Sequence, residues 1–352
     1  MDKAEVLRRV QHAEPVVEQD LSNIDFAGED LSATLFERCV FHGTQMMRAD
    51  LTDTQFVRCS FARTPMNECI ASGTVFVESK LERVVMAGTE AKNLSFLQCE
   101  IGGLALTDAA LDFVNFSQCT LNQLLFKNSR LEKVSWVNCT TGAMDFSQAR
   151  LERSALLECD LRQCRFDGAE FATVVFIKCN LAGKSFAGQR FVNTQFMGAD
   201  LTECDFSGAH VANANFQQAR LMRARFEKTH GPQAIFMEAD LSDAVFDRAV
   251  LTQALFVGAQ APRARFTSSN LYQTNWAKAV LPGAVLGGCD LTYADFSHAD
   301  LTDADLRGAQ MFRAKLHAVK DAGARYTDRA RALESEPELL AAEQWQPAPL
   351  PG

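Results

Sequence analysis

A five-residue hydrophobic period organises most of this 352-residue chain. Stepping by five from Leu21 reaches Leu316 without an insertion, and we call each of these 60 positions a centre. All but five centres are Leu, Phe, Met, Val, Ile or Trp, the exceptions being Ala71, Ala91, Thr141, Gly231 and Ala261. A period of five matches neither the 3.6 of a helix nor the 2.0 of a flat strand. The pattern therefore predicts a chain that turns once per unit.

Two longer periods predict how many turns close a coil. Phe fills 20 of the 30 centres whose numbers end in 6, and Leu dominates those ending in 1. Cysteine recurs every 20 residues over part of the chain, at positions 39, 59, 99, 119, 139, 159 and 179, with Ser79 in the gap. Twenty residues per coil and five per side predict a four-sided solenoid of about 15 coils, roughly 70 Å long at the spacing between strands.

The residue two before each centre is usually small, and the clearest stretch, Ala294–Gly308, reads ADFSH, ADLTD, ADLRG. This A(D/N)LXX pattern resembles that of the pentapeptide-repeat proteins, and the resemblance covers Asp20 to about Leu316. It implies an all-β solenoid, a right-handed quadrilateral β-helix with short terminal helices. We expect three segments: an N-terminal capping segment over 1–20, the repeat over 21–316, and a C-terminal helical cap with a flexible tail over 317–352.

A solenoid exposes its core at both ends and needs caps. Asp2 with Glu5 three residues later, followed by Pro15, predicts a short helix from Asp2 to His12. The five-residue frame fails after Leu316. Ser335 and Glu338 form a capping-box pattern that predicts a second short helix, which serves as a lid on the last coil or as a dimer or partner contact. Its apolar contact residues are Leu339, Leu340 and Trp345, and the proline-rich tail from Pro347 to Gly352 is expected to be flexible.

The net charge and the lengths of the apolar runs argue against a nucleic-acid-binding protein and against a membrane-spanning protein. A net charge of −9, from 44 acids and 35 bases, argues against a non-specific grip on a phosphate backbone. The apolar runs are shorter than the roughly 18 to 20 residues that span a bilayer, and the charged N-terminus is unlike a signal peptide. We expect a soluble, cytoplasmic protein with reduced thiols.

The sequence offers no catalytic constellation, and we predict neither an enzyme nor a cofactor or metal site. All 11 cysteines stand two residues before a centre, where Ala, Ser and Thr also occur, which indicates buried small side chains. His210 and His230, in line with Arg190, are interpreted as surface residues. Asp290, Asp295, Asp300 and Asp305 fall on four successive sides, so they do not converge into a carboxylate pair.

The residue after each centre should point outward, and on one side of the coil this position is mostly apolar. That side carries centres 36, 56, 76 and onward to 276. We name its apolar residues, together with two that precede a centre, the apolar stripe: Val57, Val77, Leu97, Val137, Leu157, Ile177, Met197, Ile235, Met237, Leu255 and Val257. Large exposed apolar patches mark interaction sites. We predict a face for a protein partner or for self-association.

The family resemblance implies two specific roles, which the sequence leaves open. Long, loop-free members are encoded with bacterial type VI secretion spikes, and this suggests an accessory scaffold that loads effectors. Quinolone-resistance members resemble DNA and bind DNA gyrase, which makes gyrase the alternative partner. Residues 1–20 and 317–352 each have a net charge of −2, so the repeat has a net charge of −5. This is a low negative charge for a protein that imitates DNA. The partner and the oligomeric state stay undetermined at this level.

Overall fold

The computed structural model describes residues 1–345, so the predicted tail, Pro347–Gly352, lies outside the described residues. The chain divides into two compact units: unit 1 is Met1–Asn180 and unit 2 is Leu181–Gly352. Both units are all-β solenoids, and residues 1–345 together contain about 16 turns and two short α-helices. The predicted fold class is confirmed.

Unit 1 begins with helix α1, Lys3–Gln11. The Asp2 side chain caps this helix by accepting the backbone N–H of Glu5 at 2.9 Å, which satisfies one of the otherwise unpaired first-turn donors. Glu5 in turn accepts hydrogen bonds from Arg8 and Arg9. Val6 is the buried residue of this helix.

Short parallel strands form the sides of unit 1. Sheet A has nine strands: β1 Val16–Val17, β2 Leu35–Glu37, β4 Gln55–Val57, β6 Val75–Val77, β9 Ser95–Leu97, β12 Asn115–Ser117, β16 Ser135–Val137, β20 Ala155–Leu157 and β22 Val175–Ile177. Sheet B has eight: β3 Val40–His42, β5 Ser60–Ala62, β7 Lys80–Val85, β10 Glu100–Ala105, β13 Thr120–Asn122, β14 Leu124–Leu125, β17 Thr140–Thr141 and β18 Met144–Asp145. Sheet C has five: β8 Glu90–Lys92, β11 Ala110–Asp112, β15 Arg130–Glu132, β19 Arg150–Glu152 and β21 Glu170–Ala172.

The register of these sheets gives the coil its length. Phe36 pairs with Phe56 and Phe56 with Phe76, so each residue lies beside the one 20 positions later. Within a coil, the residue two after a centre has a left-handed backbone in almost every unit, with φ between 48 and 61° at the non-glycine positions. One such residue every five positions turns the chain four times per coil, as the period predicts.

Stacked aromatic rings fill much of the interior of unit 1. The rings of Phe56 and Phe76 are parallel, with centroids 4.9 Å apart, and Phe56 meets Phe61 of the neighbouring side edge-on at 5.2 Å. Both arrangements are favourable for aromatic pairs. These three side chains are fully buried. The Phe-rich centres therefore form the core that the ten-residue period predicts.

Unit 2 uses the same 20-residue register, mostly through single-residue parallel bridges such as Asp205 with Arg225. Its regular elements lie near the C-terminus: strand β23 Asp305–Leu306, strand β24 Arg325–Tyr326, a 3₁₀ helix Arg329–Arg331, and helix α2 Pro337–Gln344. In unit 2 the residue two before each centre is mostly a buried alanine, whereas in unit 1 this position often has Cys, Thr or Ser.

The solenoid path of unit 2 continues for part of a coil past Leu316, although the apolar five-residue frame ends there. Strand β24 lies parallel to β23, with Tyr326 beside Leu306. The next two positions of the five-residue period are Asp321 and Tyr326, so a search of the sequence for apolar centres does not detect this part of the coil. The Tyr326 hydroxyl donates to Asp321 at 3.1 Å, and Arg329 donates to the same carboxylate. This polar network replaces the apolar centre.

The predicted capping box of the second helix is also corrected. Helix α2 begins at Pro337, with Glu336 at its N-cap and no side-chain capping bond. Proline suits the first helical position because it has no N–H to leave unpaired. The Ser335 hydroxyl accepts the backbone N–H of Ala318 at 2.9 Å instead of capping the helix. In residues 1–345, no helix is long and apolar enough to cross a membrane.

Candidate partner-binding surface

The unit 1 part of the apolar stripe is a column of side chains in sheet A. Strand pairing places Val57 beside Val77 and Val77 beside Leu97, and further along it places Val137 beside Leu157 and Leu157 beside Ile177. Ser117 stands between the two runs. Neighbouring strands are about 4.8 Å apart, so these side chains contact one another along the column. Each stripe residue of unit 1 is half-buried, because its neighbours in the column cover part of it.

A polar ladder borders this column at the exposed positions directly after it. Arg58 and Glu78 form an ion pair of 2.8 Å between successive coils, and Lys178 and Glu158 form one of 3.1 Å. An apolar centre with a polar border is the usual anatomy of a protein interface. Because the border side chains bind one another, the apolar column stays uncovered by them.

The unit 2 part of the stripe is shorter and more broken. Ile235 and Leu255 are paired on successive coils, with Asn215 and Asn275 on either side. Met197, Met237 and Val257 are half-buried, and Gln217 occupies the position between the two methionines. The structure thus places every predicted stripe residue at the surface, with a longer apolar run in unit 1 than in unit 2.

The predicted C-terminal contact residues differ in exposure. Trp345 is 72% exposed and Leu339 is 46% exposed, whereas Leu340 is half-buried. Helix α2 has no buried residue. Its apolar side chains are therefore available to another surface.

Several large, exposed apolar side chains lie outside both the stripe and the predicted C-terminal contact, and sequence reasoning missed them. In unit 1 they are Met47, Ile70, Val85, Phe113 and Leu125, and in unit 2 they include Tyr293 and Phe312. Phe113 is 53% exposed and carries the Lys133 ammonium 4.0 Å above its ring. Phe113 and Tyr293 occupy the left-handed corner position, where most units have a polar residue or glycine. Sorting the corner residues by hydrophobicity would have found both.

The cysteines lie in the core. All 11 are buried, and the Cys59 and Cys204 thiols donate to the backbone carbonyl groups of Phe36 and Leu181 at 3.3 and 3.1 Å. Burial raises the pKa of Cys69 to about 11 and the pKa of Cys204 to about 12. Protonated, buried thiols are poor nucleophiles and poor metal ligands.

The other polar residues singled out in the sequence all lie in unit 2. His210 and His230 are exposed neighbours on successive coils, with ring centroids 5.6 Å apart. Asp290, Asp295 and Asp300 pair with Gln310, Lys315 and Lys320 respectively on the following coil. The three carboxylates therefore occupy different sides and form no joint acid–base pair.

Comparison with protein families identifies the repeat. Pentapeptide repeats match residues 20–53, 145–181, 174–208, 199–230, 234–273, 262–292 and 279–317, and a pentapeptide repeat region matches residues 49–126. These matches cover more than half of the chain. The protein belongs to the pentapeptide-repeat family.

Solved structures with a similar fold include other pentapeptide-repeat proteins. A trypsin-treated form of QnrB1, a plasmid-mediated fluoroquinolone resistance protein, is 20% identical, with a TM-score of 0.41 over 54% of this chain and 93% of its own. HetL, involved in heterocyst differentiation regulation in the cyanobacterium Nostoc, is 23% identical, with a TM-score of 0.23 over 72% and 87%. A protein of the Arabidopsis thaliana thylakoid lumen is 19% identical, with a TM-score of 0.12 over 42% and 77%. A comparison with curated protein sequences gave no significant match.

Proposed function

We propose that this protein is a non-catalytic, rigid scaffold that binds a protein partner on the apolar stripe of sheet A. The observation that supports this proposal is the column of side chains from Val57 to Ile177, which strand pairing aligns on one face of sheet A. Its two apolar runs, separated by Ser117, lie on one regular sheet face, and removal of their surface from water stabilises a complex.

The sheet geometry also determines how the partner would bind. The strands inside sheet A are hydrogen-bonded to a neighbour on both sides, so an added strand has no free edge there. The partner would therefore contact side chains rather than extend the sheet. A rigid column loses little conformational entropy on binding, which favours affinity.

The finer form of the proposal is the role implied by the family resemblance. In that role, the scaffold holds an effector of a bacterial type VI secretion apparatus against the stripe, and Leu339 and Trp345 of the C-terminal segment provide a second contact. The resemblance in length and unbroken frame supports this form.

The test replaces stripe residues and measures mass in solution. A variant with Val137, Leu157 and Ile177 changed to Ser is compared with the wild type by light scattering. The matched control changes Met47, Ile70 and Val85 to Ser, because these are more exposed apolar residues of unit 1 outside the stripe. Circular dichroism confirms that all three proteins are folded.

A wild-type dimer that becomes monomeric only in the stripe variant identifies a second copy of the chain as the partner. If all three proteins are monomers, capture experiments with candidate effectors should show binding by the wild type and the control but not by the stripe variant. Equal masses together with equal capture by all three proteins would disprove the proposal.

A further inference from the structure

Three metal-ligating side chains converge at the C-terminal end of unit 2. His298 lies two residues after the centre Phe296, and His317 follows the centre Leu316 on the next coil. The backbone N–H of His298 donates to the carbonyl oxygen of His317 at 2.8 Å, which holds the two residues side by side. Glu343 reaches the same place from helix α2.

The distances between the donor atoms suit one metal ion. Glu343 Oε2 lies 3.1 Å from His317 Nε2 and 3.4 Å from His298 Nε2, and all three donor atoms are within 4.8 Å of one another. Ligands about 2.0 to 2.1 Å from a tetrahedral zinc ion are roughly 3.4 Å apart. Two of the three separations already match this value. The third separation, between the two histidine nitrogens, is no more than 4.8 Å.

His317 is the buried member of this cluster, and one of its ring nitrogens lacks a partner within residues 1–345. The residue is 8% exposed, and its Nδ1 atom has no hydrogen-bond partner among the described residues. The other ring nitrogen, Nε2, is the one that contacts Glu343. The two rings meet edge-on, with centroids 5.4 Å apart, so both Nε2 atoms can turn toward a shared ion without a clash between ring faces.

Helix α2 is bound to the coils with little burial of its side chains. None of its residues is buried, and its first turn has no side-chain capping bond. An eight-residue helix is too short to be stable alone in water. A ligand that joins Glu343 to the two histidines would therefore bind the helix to the final coils.

We propose that His298, His317 and Glu343 form a binding site for a divalent transition-metal ion of the zinc type. Both Nε2 atoms and one carboxylate oxygen are the protein ligands, and water fills the remaining position. Imidazole and carboxylate are ligands that zinc accepts, and both are available near neutral pH. The bound ion closes the C-terminal cap by joining α2 to two adjacent coils.

The test uses full-length, chelator-treated protein without a histidine tag. Zn²⁺ binding is measured by calorimetry, and Co²⁺ serves as a spectroscopic probe of tetrahedral coordination. We expect one ion per chain and a loss of affinity of at least about tenfold in both His317→Gln and Glu343→Gln, because ligand loss costs no less than loss of a supporting contact. The control changes His210 and His230 to Gln, since these histidines also lie on adjacent coils but have no carboxylate from another element.

A second readout follows the cap itself. Trp345 lies two residues after Glu343, so proteolysis near this residue should slow when Zn²⁺ is added to the wild type and not when it is added to Glu343→Gln. Undetectable Zn²⁺ binding, or equal binding by His317→Gln, Glu343→Gln and the wild type, would overturn the proposal. Thiolate bands in the Co²⁺ spectrum would do so as well, because they would place the ion on cysteine. The apolar stripe takes no part in these measurements, so their failure leaves the scaffold proposal untouched.

Discussion

At the scale of single residues, the corner position of each unit is where the backbone is most constrained. This residue has a positive φ in almost every unit, although most units place there a side chain that disfavours the left-handed region. Glycine occupies it in several units, such as Gly183 and Gly323, and Asn does so in others. The least suitable occupant is Thr173, a β-branched residue with φ 54°. The repeat thus tolerates a local cost because the rest of each coil fixes the turn.

Relief of this strain should stabilise the protein. Thr173→Asn is expected to raise the free energy of unfolding by about 0.5 to 1 kcal/mol, because Asn enters the left-handed region more readily than a β-branched residue. Chemical denaturation measures the change. The matched control is Ala172→Asn in strand β21, one residue earlier, where Asn disfavours the strand and should not stabilise. A gain in the control equal to that of Thr173→Asn would rule out the backbone explanation.

The cysteines give a second prediction at this scale. Because all 11 cysteines are buried, and burial also raises the pKa values of Cys69 and Cys204, folded protein should react negligibly with a thiol reagent at neutral pH. Denatured protein should expose all 11 thiols. Rapid labelling of native protein, followed by mass spectrometry, would contradict this prediction and identify the accessible cysteine.

At the scale of the repeated unit, the Asp of the A(D/N)LXX pattern has a structural role. The Asp300 carboxylate accepts the backbone N–H of Thr302 at 3.0 Å and its hydroxyl at 2.6 Å, and Asp30 accepts the backbone N–H of Ser32. These bonds fix the turn that follows each centre. Asn215 accepts the N–H of Gln217 in the same way, which explains why the pattern permits either residue.

This role predicts a loss of stability in acid. Hydrogen bonds from the following Ser or Thr lower the pKa values of Asp20, Asp30 and Asp300. A folded-state pKa below the unfolded value of about 3.9 gives stability that is present above that pH and is lost as the pH falls through the folded-state pKa. A variant with these three residues changed to Asn should therefore lose less stability than the wild type below about pH 4. Thermal unfolding across this pH range measures the difference.

The control for this prediction changes acids outside these turns. Glu90, Glu100 and Glu170 are exposed and begin strands, so their change to Gln removes charges of the same number without a turn hydrogen bond. The control should keep the acid sensitivity of the wild type. If both variants lost the same part of the pH dependence of stability, the effect would be due to net charge and not to the Asp turns.

At the scale of the whole molecule, the negative charge is largely neutralised locally. In unit 1, Arg48 pairs with Glu68 on the next coil. In unit 2, Arg223 pairs with Glu203 and Arg263 with Asp243, again between residues 20 positions apart. Acids that alternate with bases along a surface produce a weak field, unlike the uniform charge of DNA.

This charge pattern predicts the result of a gyrase assay. The protein should neither inhibit nor protect supercoiling by DNA gyrase, because its surface lacks the continuous negative charge of DNA. The measurement is a supercoiling assay with and without a quinolone, at low and moderate salt. Inhibition that weakens with salt would favour the alternative partner, DNA gyrase, over the scaffold proposal.

The repeat and its outward faces could be read from the sequence because they depend on local spacing. The alternation of Phe and Leu centres and the buried cysteines follow from a frame without insertions, and so does the set of positions that point outward. The path beyond Leu316 could not be read in this way, since polar residues replace the apolar centre there: the Asp321 carboxylate accepts hydrogen bonds from the Tyr326 hydroxyl and from Arg329. Ser335 accepts the backbone N–H of Ala318 and does not cap helix α2. These two residues are 17 positions apart, so no local sequence pattern predicts their contact.

The sequence by itself determined the coil length, the four turns per coil and the inward face, because a strict period imposes the same geometry on every unit. Only the tertiary structure decided which side chains fill the space beside a centre without a large apolar residue. It also decided which side chains come together at the C-terminal end of the solenoid. At Gly231, a Cβ atom would lie 2.6 Å from Val211 Cγ2 and 3.1 Å from Leu251 Cδ2, so the coils on either side occupy the missing volume. His298, His317 and Glu343 likewise meet only because a coil end and a helix pack together. Such contacts depend on the shapes of groups distant in sequence, which a period of five cannot encode.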